Sequence, residues 1–288
     1  MPLRLFAWLL LCPVTLLAQS APAPAKSQPP IPDAPTLLRQ VVAHQRQMDS
    51  LRENYTYREQ QVVQKLDSHG HIQSTKTSEF RVFFVHTHEI DELIGKNGRP
   101  LGPGAKRKQQ KLVQREIAKA EDTPPGQSSG HPTVSVSQLL AIMRLSHPRR
   151  TILDGRPTLV FDFTGKRHAP AHGKTLRTLR KLTGTIWIDE KDREVRRLDA
   201  RFDADFHMGW GLVSVAKGST FNFTQRPMRG QLWLPAGARI HLVAHALGFF
   251  GYRADVTVTD SDYQVFHAGA TQLPGAHVIP PASKQPQK

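Results

Sequence analysis

Cysteine is all but missing from this chain of 288 residues: the only one is Cys12, inside an apolar run near the N-terminus. With Leu11 before it and Pro13 after it, Cys12 lacks the setting of a lipid-anchored cysteine and is expected to be discarded with that run. What remains then has no thiol, which excludes disulfides, sulfur-ligated metals and a cysteine nucleophile. Negative charge is also scarce. Against 39 Lys and Arg stand 24 Asp and Glu, a formal charge of +15, so the folded surface carries a positive field that favours anionic partners. Catalytic signatures are lacking as well: there is no phosphate loop, no Gly-x-Ser-x-Gly elbow and no His-Glu-x-x-His pair. Asp199, Asp203 and Asp205 share one strand face, but Arg201 sits among them, which is the pattern of a solvated outer face. The expectation is a non-enzymatic protein without a cofactor.

What is present begins with a leader. Met1 to Arg4 supply a short positive start, Leu5 to Ala18 form an apolar run, and Ala18-Gln19-Ser20 offers small residues for cleavage, so residues 1–20 read as a secretory signal peptide. The run is shorter than the roughly 20 residues a membrane-spanning helix needs. The expected location is the periplasm or the exterior, with outer-membrane association as an option. Residues 21–35 contain six prolines and read as an extended linker. A single β domain follows at 36–267, with a basic helical insertion at 104–145, and residues 268–288 read as a disordered tail.

Within the domain the periodicity changes type. Leu37, Leu38, Val41, Val42, Met48 and Leu51 recur at helical spacing, with Thr36 as the expected N-cap. From Tyr55 the period becomes two: a long hairpin turns at Ser68-His69-Gly70, and a strand from Glu89 to Ile94 ends at Asn97-Gly98. A short helix is predicted from Val136 to Leu145 and another from Lys174 to Leu182. Later strands are expected at Thr185–Asp189, Val195–Phe206, Thr220–Gln225, Gln231–Leu234, Arg239–Leu247 and Tyr252–Tyr263, with turns at Arg229-Gly230, Pro235-Ala236-Gly237 and Phe250-Gly251. In Leu198–Phe206 every second residue is apolar, giving one dry face and one wet face. About ten strands must curl, close or split to hide their apolar side. The predicted class is therefore α+β, a strongly curved antiparallel half-barrel with helices covering its concave face; a closed barrel is the rival.

Candidate sites follow from that shape. Phe80, Val82, Phe84, Phe161, Phe163, Phe202, Phe206, Phe221, Phe223, Ile240 and Leu242 are expected to line the core or an apolar cavity. Trp210 lies in the Gly-rich loop His207–Val213, which suits contact with an apolar ligand or plugs the end of the core. Lys106, Arg107, Lys108, Lys111 and Arg115 surround a thin apolar stripe and could meet an anionic membrane surface, although a merely solvated helix explains them too. Basic and aromatic residues are not interleaved, so nucleic acid is not expected. His69-Gly70-His71 and His86-Thr87-His88 each bring two imidazoles together, but two ligands without a third partner make no metal site, and none is expected.

Four stretches carry a family resemblance: Asn54-Tyr55-Thr56-Tyr57-Arg58-Glu59, Gly184-Thr185-Ile186-Trp187-Ile188-Asp189, Val195-Arg196-Arg197-Leu198 and Leu232-Trp233-Leu234-Pro235. In this order, after a leading helix, they resemble exported proteins of the outer-membrane lipoprotein-sorting type, the LolA/LolB and RseB-like carriers, over about Leu37 to Phe266. The resemblance implies an unclosed half-barrel with a helical lid that holds a lipid, an acyl chain or a lipidated partner, and no catalytic residues. The alternative is a basic interaction module for an anionic envelope polymer or an acidic protein.

Overall fold

The computed structural model describes residues 29–86, 88–124, 136–166, 179–208, 213–228, 232–246 and 250–265; chain contacts separate Met1–Pro30 from Ile31–Lys288. The second unit opens with α1 (Ala34–Arg52). Its cap is Asp33 rather than Thr36: the Asp33 carboxylate accepts from the Thr36 backbone N–H at 2.9 Å, and a proline occupies the first turn. Proline has no N–H to leave unsatisfied there, so Pro35 sets the helix start earlier than the apolar stripe alone suggested.

A meander follows: β1 (Tyr55–Leu66), β2 (Ile72–Val85), β3 (His88–Lys96) and the short β4 (Arg99–Pro100). After α2 (Pro103–Glu121) and α3 (Val136–Ala141) come β5 (Met143–Leu153), β6 (Arg156–Gly165), β7 (Leu182–Asp189) and β8 (Val195–Phe202). The chain ends with β9 (Phe206–Met208), β10 (Val213–Val215), β11 (Thr220–Pro227), β12 (Trp233–Ala246) and β13 (Phe250–Val265).

Eleven of these strands lie side by side in the order β4-β3-β2-β1-β13-β12-β11-β8-β7-β6-β5, with β10 paired to β12 and β9 to β10. Every pairing is antiparallel. The outermost strands β4 and β5 do not pair, so the curved sheet stays open: an α+β half-barrel rather than a closed barrel. Its two halves are joined through β1 and β13, where Tyr55 faces Val265 and Leu66 faces Arg253.

Several local expectations needed correction. Thirteen strands are present among the described residues instead of about ten, because β4, β9 and β10 are too short to show a period in sequence. Pro235-Ala236-Gly237 is not a turn but lies within β12, where the register against β11 shifts between Thr224 and Gln225 and absorbs the proline. The helix expected to reach Leu145 stops at Ala141; Met143 and Leu145 are buried and Arg144 is exposed, which is the alternation of a strand. The strand expected to run from Val195 to Phe206 breaks after Phe202. The helix predicted from Lys174 falls mostly outside the described residues, and Leu182 starts β7.

Burial follows strand parity. Phe161 faces Ile186, Ile186 faces Leu198, Leu198 faces Phe223, and Phe223 faces Ala238, so one side of the sheet carries a continuous apolar row. Leu37, Leu38 and Val41 of α1, with Leu140 of α3, pack onto this concave side against Leu159, Phe161, Phe163, Ile186, Ile188 and Leu198. The other face is used by α2. Phe83 faces Ile90, the opposite parity to Val82 and Asp91, and these two pack with Val113, Ile117 and Ala120.

Gly184 stands where β7 and β8 approach too closely for a side chain: a Cβ there would lie 1.9 Å from the Asp199 carbonyl oxygen. Gly184→Ala should therefore lower unfolding stability by about 1–3 kcal/mol or more, read as a fall in the urea midpoint with the slope unchanged. An unchanged midpoint would show that the two strands part without cost.

Candidate functional site

The concave face is covered unevenly. Over β5 to β8 it lies under α1 and α3, and its side chains are fully buried. Across β11, β12, β13 and β1 it continues with Phe221, Phe223, Ile240, Leu242, Val256, Val258 and Val63, which are only half-buried. Cross-strand register places them in rows: Phe221 faces Ile240, Ile240 faces Val256, and Val256 faces Val63.

The residues singled out from sequence divide accordingly. Val82, Phe161 and Phe163 are 0–1% exposed and belong to the core. Phe80, Phe84, Phe202, Phe221, Phe223, Ile240 and Leu242 are half-buried on the same face. Trp210 and the side chain of Phe206 lie outside the described residues.

A groove of about 500 Å³ lies between the N-terminal half of α1 and the start of edge strand β5, separated in the sheet from the half-covered rows by β6, β7 and β8. Its apolar lining is Leu38, Val42 and Leu145, with Ala34, Pro35, Ala43 and Ala141. Four cations also line it: Arg39, Arg46, Arg144 and Lys166. Lys166 donates to the Ala141 carbonyl at 3.1 Å and Arg39 to the Thr36 hydroxyl at 2.8 Å. Among the described residues no carboxylate forms an ion pair with any of the four. The volume falls within the roughly 300–1,000 Å³ of small-molecule sites. Sequence reasoning missed the groove because Arg39, Arg46, Arg144 and Lys166 are far apart in the chain and only the docking of α1 onto β5 gathers them.

Polar groups buried around α1 were missed as well. Gln45 and Arg52 occupy the same helical stripe as Leu37, Val41 and Met48, and that interruption of an apolar stripe was the available signal. Arg52 donates to Asp49 at 2.7 Å and to Gln225 at 2.6 Å, and its guanidinium also reaches the Trp233 carbonyl oxygen. Gln45 donates to Glu194, and His44 Nε2 lies 3.3 Å from the other Glu194 oxygen. Glu194 is fully buried, and burial pushes its pKa from the ordinary 4.5 to about 8. Burial also lowers His44, so near neutral pH the two meet as uncharged partners.

A second acidic group, with Asp260 buried and the rest half-buried, lies at one end of the half-covered face. Glu59, Glu89, Asp91 and Asp260 share the parity of Tyr57 and Phe80. Burial raises Glu59 and Glu89, the latter reinforced by Asp91, and lifts Asp260 to about 7 with help from Glu59. These carboxyls are therefore shifted toward their neutral forms, which suits their position beside apolar strands.

On α2, Lys106, Arg107, Lys108, Lys111 and Arg115 are all exposed; Lys106 continues the stripe of Val113 and Ala120 that packs toward β3, and the other four lie around the rest of the helix. His86 and His88 are not on one strand face as expected: His86 sits in a turn with φ 47°, while His88 is buried with Nε2 3.0 Å from the Thr123 carbonyl. No helix among the described residues is long and apolar enough to cross a membrane.

No family model matches the chain, and no curated protein matches it at a significant level. Among solved structures, a domain described as an outer membrane lipoprotein-sorting protein from Vibrio parahaemolyticus aligns over 83% of this chain and 96% of its own, at 12% identity and a TM-score of 0.40. A DUF1329 family protein from Desulfovibrio piger aligns over 81% and 94%, at 8% identity and a TM-score of 0.36. Both likenesses are distant, and neither assigns a ligand to this chain.

The raised carboxyls make stability pH-dependent in a defined direction. A carboxyl whose folded pKa exceeds its unfolded one binds more protons in the folded state, so stability falls as pH rises from about 4.5 to about 8. Glu194→Gln keeps the size and removes the titration. Its urea midpoint should fall less than that of the parent between these pH values; parallel curves would mean that Glu194 is ionised throughout.

Proposed function

We propose that this chain is a non-enzymatic binding protein of the cell envelope that holds an amphiphile with an acyl chain and an anionic head, as a carrier or sensor of lipids or lipidated partners. One observation carries the reading: an apolar groove of about 500 Å³ bordered by four cations without ion-pair partners among the described residues. An acyl chain matches the lining of Leu38, Val42 and Leu145 through the hydrophobic effect, worth about 0.8 kcal/mol per buried CH₂. A carboxylate or phosphate head matches Arg39, Arg46 and Arg144, since Arg accepts such groups in a planar fork. The leader-like N-terminus and the resemblance to lipoprotein-sorting carriers support an envelope location.

A second reading rests on the exposed cations of α2. Five of them, Lys106 to Arg115, project from the convex side and could hold the protein to an anionic membrane or polymer.

Fluorescent fatty-acid uptake separates the two. The purified protein should bind a fatty acid more tightly than the fatty alcohol of equal length, and Arg46→Glu with Arg144→Glu should reduce fatty-acid affinity at least tenfold while the alcohol is unaffected. Lys108→Glu with Lys111→Glu should leave uptake unchanged but weaken binding to anionic vesicles, with a steep salt dependence. Failure to take up either amphiphile would overturn the carrier reading; equal affinity for acid and alcohol would overturn the role of the four cations.

A further inference from the structure

The turn between β1 and β2 brings together three groups that sequence spacing had left one short of a metal site. Asp67, His69 and His71 each place a ligand atom within 4.8 Å of the others. Gly70, at φ +88°, permits the reversal that turns both imidazoles to the side of the Asp67 carboxylate. Asp67 Oδ1 accepts from the backbone N–H groups of His69, at 2.8 Å, and His71, at 2.9 Å. Its second oxygen, Oδ2, lies 3.3 Å from His71 Nδ1, and the two imidazole rings lie 6.1 Å apart with 27° between their planes.

We propose that this hairpin tip binds a divalent transition-metal ion of the zinc, copper or nickel class through Asp67, His69 and His71. Bonds of 2.0–2.1 Å in a tetrahedron separate neighbouring ligand atoms by about 3.4 Å, close to the distance already found between Asp67 and His71. His69 needs only a rotation of an exposed side chain to complete the set. Two imidazoles with one carboxylate suit borderline metals rather than calcium or magnesium, which require more oxygen ligands. Because β2 is exposed on both faces from Ile72 to Lys76, the fourth position faces outward, open to water or to a side chain of another molecule.

Calorimetric titration of the purified protein with Zn²⁺, Ni²⁺ and Cu²⁺, and with Ca²⁺ as control, tests the site. Binding of the transition metals without binding of Ca²⁺ is expected. His69→Ala and His71→Ala should each lower affinity at least tenfold. Asp67→Asn, whose amide oxygen can still accept the two backbone N–H groups, should also weaken binding while the circular dichroism spectrum stays the same. Histidine NMR resonances should shift or broaden at His69 and His71 before the other twelve of the 14 histidines. Binding that survives the double variant His69→Ala/His71→Ala, or no binding by the parent protein, overturns the proposal.

Discussion

The clamp around Trp233 holds the two layers of this protein together. The indole is completely buried, with Arg156 and Arg196 at 5.5 and 5.7 Å from its centroid, while its Nε1 donates to Asp192 at 3.1 Å. Arg156 also pairs with Asp189 and Asp192, which returns the β7–β8 turn onto β6. From above, Arg52 of α1 reaches the Trp233 carbonyl and Gln225, and Gln45 reaches Glu194. A helix held only by apolar contacts could slide along a smooth sheet. These buried polar groups each require a particular partner and so fix the position of α1. Removing one partner would leave a desolvated group behind, which costs more than the bond itself contributes.

That fixed helix divides the concave face. Where α1 and α3 lie on β5 to β8, the apolar rows become a closed core. Beyond α1, the same rows continue across β11 to β1 only half-covered, and beside α1 the four cations of the groove are gathered. The sheet is therefore a closed core wall on one side of α1 and a half-covered apolar surface on the other. The basic helix α2 is packed through Val113, Ile117 and Ala120 on the opposite side, so its cations point away from the concavity.

The charge pattern has two distinct physical roles. Lys and Arg dominate the exterior, while several carboxyls are withdrawn from water: Glu194 and Asp260 are buried, and Glu59 and Glu89 are half-buried at one end of the open rows. Burial favours their protonated forms, which limits the number of uncompensated charges inside. The formal charge of +15 counts all 24 acidic residues as ionised, so each of these carboxyls that stays protonated makes the protein more positive still.

Much of this architecture was legible in the residues themselves. The switch from helical spacing in Leu37–Leu51 to period two from Tyr55, and the alternation in Leu198–Phe202, fixed element types and faces, because side-chain direction is a local property of backbone geometry. Strand count and the need to hide one dry face pointed to an open, helix-covered sheet. What the local pattern could not decide was which parts of that face α1 covers. The sequence also could not show that Gln45 would meet Glu194, 149 residues away, or that α1, β5 and the end of β6 would gather Arg39, Arg46, Arg144 and Lys166. Likewise, the two histidines of the first hairpin gained Asp67 as a third neighbour only through the turn geometry at Gly70. Periodicity reports on the chain within a few residues, whereas a binding site is an encounter between distant segments, and that encounter is set by tertiary packing.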